Sequence, residues 1–177
     1  METKQITLGG GCFWCTEAIF KETEGVLSVT SGFSGGFIKK PAYREVCTGR
    51  TGHAEVVQIT YNPEVIGLQD LVAIHLVTHN PTTLNAQGGD KGTQYRSIIF
   101  YNTEQEKEII INQLINLEEI FDAPIVTEVK PFVAFYPAEI EHQNYYAENT
   151  EARYCQLVIA PKLEKYRNLK LQLKGSE

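Results

Sequence analysis

Ile6-Thr7-Leu8-Gly9-Gly10-Gly11-Cys12-Phe13-Trp14-Cys15-Thr16 opens the chain with a strand, a glycine turn and the beginning of a helix. Ile6 and Leu8 alternate with polar neighbours, the period of a half-buried strand. Glycines permit the tight reversal that follows. A helix is predicted over residues 16–22, stopped by Gly25. Working outward, residues 26–33 are β-rich and end at Gly35-Gly36. Residues 37–53, with Pro41, Gly49 and Gly52, form a long loop. Val57, Ile59 and Tyr61 alternate in a further strand that Asn62-Pro63 closes. Leu68, Leu71, Val72 and His75 fall at helical spacing, so residues 67–79 are a helix.

A second loop, rich in Gly, Asn and Thr, spans residues 80–93, and residues 96–101 are a strand. Thr103 and Glu106 form a capping box for a helix with Ile110, Leu114, Leu117 and Phe121 on one face. A strand around residues 126–135 follows, then short helices after Pro137 and Pro161. Leu163, Tyr166, Leu169, Leu171 and Leu173 give the tail helical character. The order from Ile6 to Tyr101 is β-α-β-β-α-β. It predicts an α+β fold: a two-layer split βαβ, ferredoxin-like sheet with helices on one face, plus long loops and a C-terminal extension. Loops this long inside a compact domain point to function.

The 177 residues are expected to form a single catalytic domain, residues 1–177, large enough to bury a core without disulfide staples. A net charge of −6 argues against a nucleic-acid partner. No apolar run approaches a membrane span, and no secretory signal is visible at the N-terminus, so a cytoplasmic protein is expected. Without a long heptad or an exposed apolar stripe, a monomer is expected.

Of the four cysteines, Cys12 stands out. It follows three glycines and precedes a helix, whose free N–H groups and positive dipole end favour thiolate, the nucleophilic form. Phe13 and Trp14 would share its concavity and suit an apolar, polarizable group. Read on position alone, Cys12 is also compatible with a buried cysteine in a glycine turn. Cys12 and Cys15 form a Cys-x-x-Cys pair, half of a zinc site only if ligands come from elsewhere. His75 and His79 are the candidate pair, but His75 lies on an apolar face and reads as a core residue. No metal is expected. A thioredoxin-like dithiol-disulfide oxidoreductase using Cys12 and Cys15 is the alternative function. The two long loops add phenols and carboxylates beside glycines. A thiol that attacks an oxygen-bearing group needs an acid for the departing oxygen and donors to steady its charge. Glu55 would be that acid if burial raises its pKa, with Tyr43 and Tyr95 as donors. Cys47 reads as a small packing residue.

Several stretches together are similar to the A-type peptide methionine sulfoxide reductases: residues 11–17 (Gly-Cys-Phe-Trp-Cys-Thr-Glu), 43–47, Gly52-His53-Ala54-Glu55, 92–97 (Gly-Thr-Gln-Tyr-Arg-Ser) and His142-Gln143-Asn144-Tyr145-Tyr146. They occur in family order and cover most of the chain. The resemblance implies reduction of the S epimer of methionine sulfoxide, free or in proteins. Cys12 would attack the sulfur while Phe13 and Trp14 hold the methyl group. Glu55 would protonate the oxygen, with Tyr43 and Tyr95 bonded to it and Asp90 and His142 in supporting or peptide-binding places. A sulfenic acid would remain on Cys12. A second thiol condenses with it, and thioredoxin reduces the disulfide, with no cofactor. By its place after residues 142–146, Cys155 corresponds to the family's recycling thiol, with Cys15 the second choice. Gln156-Leu157-Val158-Ile159 follows Cys155 in place of a glycine-rich tail. If Val158 and Ile159 pack into the core, Cys155 is a buried bystander.

Overall fold

The computed structural model describes residues 2–175. In chain order the elements are β1 (Lys4–Gly9), α1 (Phe13–Lys21), β2 (Val26–Ser34), α2 (Tyr43–Val46), β3 (Ala54–Tyr61) and α3 (Leu68–Thr78). Then come β4 (Ala86–Gln87), β5 (Asp90–Lys91), β6 (Ile98–Tyr101), α4 (Glu104–Leu117), β7 (Glu128–Pro131), β8 (Tyr136–Pro137), α5 (Tyr145–Glu148) and α6 (Ala160–Gly175). The architecture is mixed α+β around one central sheet of order β7-β6-β1-β3-β2-β8; β4 and β5 form a separate small hairpin. All pairs in the central sheet are antiparallel except β6 with β7.

Period-two alternation sorts the sheet's residues onto two faces. Ile6, Leu8, Val57, Ile59 and Ile99 share a buried cluster with Phe13 and Phe20 of α1, Leu71, Val72 and Leu76 of α3, and Ile110 of α4. Ala54, Val56, Ile98 and Phe100 form a separate cluster, covered by Phe132 and Phe135. Those two rings lie where the sequence suggests one strand over residues 126–135. The chain instead pairs as β7 at one sheet edge, crosses, and pairs again as β8 against β2 at the other. The last bond of the first pairing runs from the Phe132 N–H to the Tyr101 carbonyl (2.8 Å), and Pro131, whose nitrogen faces the open edge of the sheet, costs that ladder no bond.

Two other boundaries differ from the sequence pattern. Helix α1 starts at Phe13, not at residue 16, because Cys12 keeps an extended backbone (φ −67°, ψ 130°) and the next residue is already helical. After Pro161 the chain forms a long helix, α6, preceded by a π-helical turn over Cys155–Ile159. Pro161 thus follows the π-turn directly inside continuous helical backbone, whose widened turn, closed by the Ala160 N–H on the Cys155 carbonyl, is where the regular hydrogen-bond ladder is interrupted. Leu163 and Tyr166 of α6 bury themselves against Cys15, Ile19 and Cys155. The side chains of Leu171 and Leu173 lie outside the described residues. Thr103 caps α4 by accepting from the Glu106 amide (3.1 Å), while Glu106 reaches back to the Asn102 amide (2.6 Å). Among the described residues no helix is long and apolar enough to cross a membrane.

Candidate active site

Glu55 stands two residues before Val57 on β3, so the same alternation points it to the helix-covered face, opposite Phe33 of β2 in register. There it meets the start of α1: Glu55 Oε1 accepts from the Phe13 amide at 3.1 Å. One of the unpaired N–H groups at the helix start is thereby satisfied by a carboxyl group from a distant strand. Oε2 is buried without a hydrogen-bond partner. Burial is the main cause that raises the Glu55 pKa to about 8; the Phe13 amide opposes it, and Asp90 adds to it. At neutral pH Glu55 is an acid that still holds its proton.

Cys12 lies at the N-cap of α1, almost wholly buried. The turn that delivers it uses Gly11 at φ +85°, a conformation that suits glycine, with the Gly11 amide bonded to the Tyr95 carbonyl (3.1 Å). The sequence pattern suggested a thiol activated by the helix start. Here burial dominates and pushes the Cys12 thiol well up, with the Glu55 and Cys15 charges adding; the Trp14 amide and the Tyr154 hydroxyl pull the other way. Cys12 and Glu55 thus sit together as thiol and carboxylic acid. Tyr43, on α2 in the first loop, and Tyr95, in the second, are both raised by burial and by the Glu55 charge, with Cys12 a further contributor. Two phenols, protonated and able to donate, flank the same thiol.

An aromatic wall completes the cavity. Trp14 stacks on Tyr145 with ring centroids 3.7 Å apart and meets Tyr154 edge-on at 5.6 Å. His142 lies 4.0 Å from Tyr43 and 5.8 Å from Trp14, while Phe13 lies 6.0 Å from both Tyr43 and His142. Tyr145 and His142 come from the C-terminal third, which is tied to the body by buried groups. Glu17 accepts from the Tyr145 amide (3.2 Å) and the Ser31 hydroxyl (3.1 Å). Gln143 bonds the Ser31 backbone on both its N–H (2.9 Å) and its C=O (2.8 Å).

Every residue singled out in the sequence for substrate or acid–base work, Cys12, Phe13, Trp14, Tyr43, Glu55, Asp90, Tyr95 and His142, falls within this assembly. Tyr154 was missed. Its hydroxyl contacts Cys15 Sγ (3.7 Å) and donates to Asp90 Oδ2 (3.2 Å), which links the second loop to the Cys-x-x-Cys turn. Its place beside Cys155 was the one available signal. Cys15 and Cys155 are buried together behind the site, with Ile159 fully buried and Val158 packed against them. Cys47 corrects a reading: it is exposed, not packed. It follows the short α2 at the loop surface, where the hydrophobic contact is made by its neighbour Val46. At the rim, ligand atoms of Glu139, Glu141 and His142 lie within 4.8 Å of one another, but the two carboxylates are partly or fully exposed, and the chemistry around Cys12 does not involve them.

Fold and site together define an enzyme of thiol redox chemistry. The family model for peptide methionine sulfoxide reductase matches residues 4–174, and the chain belongs to that family; it is an oxidoreductase that reduces methionine sulfoxide. A relative from Chromobacterium violaceum, a peptide methionine sulfoxide reductase MsrA, is 54% identical over 90% of this chain and 92% of its own. The crystal structure of Mxr1 from Saccharomyces cerevisiae in reduced form superposes with a TM-score of 0.83 at 35% identity, over 87% of this chain and 90% of that one. Mxr1 has also been crystallised in complex with Trx2; that structure matches with a TM-score of 0.59 at 25% identity, over 81% of this chain and 85% of that one.

Proposed function

We propose that the chain reduces the S epimer of methionine sulfoxide, free or in proteins, on a single catalytic domain with Cys12 as nucleophile. The observation that carries this is the pairing of a buried thiol with a carboxylic acid whose pKa is about 8, ringed by two phenols. The methyl sulfoxide lies against Phe13 and Trp14. Tyr43 and Tyr95 donate to its oxygen, Glu55 gives that oxygen a proton, and the Cys12 sulfur attacks the sulfoxide sulfur as its own proton passes to Glu55. The S–O bond breaks and the protonated oxygen departs as hydroxide, leaving Cys12 joined to the substrate sulfur as a sulfonium. That hydroxide then attacks the Cys12 sulfur, the S–S bond breaks with its electron pair going to methionine, and Cys12 is left as a sulfenic acid. Asp90 orients Tyr154, and His142 backs Tyr43; neither needs to touch the reacting atoms.

A second thiol then displaces water from the sulfenic acid. The place of Cys155 in the sequence supports it as the resolving thiol, while its burial with Val158 and Ile159 supports Cys15, one helical turn from Cys12. Thioredoxin returns the disulfide to thiols; the complex of Mxr1 with Trx2 supports that reductant. All four cysteines are free, which suits a monomer working in a reducing cytoplasm. For the frame, we read β6-β1-β3-β2 as the split βαβ, ferredoxin-like sheet, a reading supported by its antiparallel order.

Reduced enzyme mixed with an excess of an S-epimer peptide, without recycling reductant, is expected to form about one methionine per chain. The R epimer is expected to give none. Peptide mapping of the disulfide then names Cys155 or Cys15. Failure to form methionine with properly folded, reduced protein would remove the assignment. Cys15→Ser separates the leading reading from a dithiol oxidoreductase: the first methionine still forms if Cys12 acts alone, and is lost if the pair is the catalytic unit. Trp14→Ala, which deletes the stack on Tyr145, is expected to raise KM for the sulfoxide about tenfold, measured by initial rates with thioredoxin recycling.

A further inference from the structure

The glycine turn that delivers Cys12 rests on a pair of histidines that the reaction itself does not use. His75 is buried, and its Nε2 lies 2.9 Å from the Gly9 carbonyl. A carbonyl can only accept, so His75 carries its proton on Nε2 and donates. One helical turn on, His79 Nδ1 faces the His75 carbonyl, and by the same logic Nδ1 holds the His79 proton. His79 Nε2 is then an acceptor, and it takes the Ser97 hydroxyl at 2.7 Å. Having spent its proton, Ser97 accepts from the Thr127 hydroxyl at 2.8 Å. Each tautomer is fixed by its partners, and both rings are neutral. Burial supports this state, holding His79 to a pKa of about 4 and His75 well below its ordinary value.

The two imidazoles stack with centroids 4.1 Å apart. The His79 ring fills the space beside Gly10 so closely that a Cβ there would sit 2.5 Å from Cδ2. Gly9 is therefore held by His75, Gly10 is packed by His79, and Gly11 is bonded to Tyr95. Cys12 and the Phe13 amide, which anchors Glu55, follow directly.

We propose that His75 and His79 are positioning residues for the chemical step: as a stacked pair at the end of α3 they fix the height and direction of the glycine turn, and so aim the Cys12 thiol and Glu55 at one another. The inference rests on Cys12 as the nucleophile, but its test can fail independently. Loss of the donor should slow the chemistry more than it weakens substrate binding, because α1, which carries Trp14 and Glu17, is also held by the burial of Ile19 and Phe20, while Glu17 and Gln143 hold the segment of His142 and Tyr145.

The test compares His75→Leu, which removes the donor, with His75→Gln, whose amide can reach the Gly9 carbonyl. For each, the single-turnover rate of methionine formation, KM and the rate of Cys12 alkylation by iodoacetamide are measured on protein shown to be folded by circular dichroism. His75→Leu is expected to lower the single-turnover rate about tenfold or more, with KM within about twofold, and His75→Gln to restore most of the loss. Should His75→Leu not fold, Ser97→Ala, which removes the donor to His79 Nε2, is expected to lower the same rate several-fold with KM unchanged. An unchanged rate in the folded variant, or equal losses in Leu and Gln accompanied by a raised KM, overturns the proposal. If the wild-type enzyme forms no methionine, it is the assignment of Cys12 that fails.

Discussion

Replacing Glu55 by glutamine is expected to slow methionine formation in a single turnover by about 10²–10⁴, the usual worth of a positioned general acid. The amide keeps the shape and can still donate a hydrogen bond, but it has no proton to transfer. Glu55 works in its protonated form, and burial raises its pKa to about 8. The wild-type rate should therefore fall as pH rises through about 8, and that limb should vanish in Glu55→Gln. Stability moves oppositely. Between the ordinary carboxyl value of 4.5 and about 8 the folded chain holds a proton that the unfolded chain has lost. Stability is thus present at the acid end and lost as pH rises through this window. Glu55→Gln should melt higher than the wild type at alkaline pH, with the difference shrinking toward 4.5. Parallel pH–rate profiles for the two proteins would remove Glu55 from the acid's role.

Cys12→Ser is expected to abolish methionine formation, because a serine hydroxyl is a poor nucleophile toward a sulfoxide and supports no sulfenic acid. Two measurements check this on one sample: methionine released per chain, and labelling of the sulfenic acid by dimedone after exposure to substrate. Both should fall to background, whereas Cys47→Ser, on the exposed loop, should retain them. Methionine formed at wild-type yield by Cys12→Ser would require a different nucleophile, and Cys15 would be the next to test.

The parts of this site that are local in sequence are legible there. Three glycines before Cys12 announce a turn into a helix, and the alternation of Val57, Ile59 and Tyr61, carried back two residues, already puts Glu55 on the core face. What the sequence does not disclose comes from long-range packing. The height of the Cys12 pKa follows from how completely β3, the two loops and the C-terminal segment enclose it, and an isolated helix start would suggest the opposite direction. Tyr154 joins the site only because the chain returns more than 130 residues later to lay it against Cys15. The crossing of residues 132–135 was hidden for another reason: its apolar residues read as a continuation of the strand before it, and Pro131, on an edge strand, is compatible with continued pairing. Cys47 read as packing because its neighbour Val46 is what enters the core.

Trp14 is the only tryptophan in the chain. It is stacked on Tyr145, edge-on to Tyr154 and one residue from Cys15. Light absorbed by indole is therefore absorbed only at the active site, and the emission that follows is filtered through the same rings and thiols that change during turnover. The enzyme contains its own optical gauge: stopped-flow emission follows substrate arrival, oxidation of Cys12 and reduction of the disulfide without any added label.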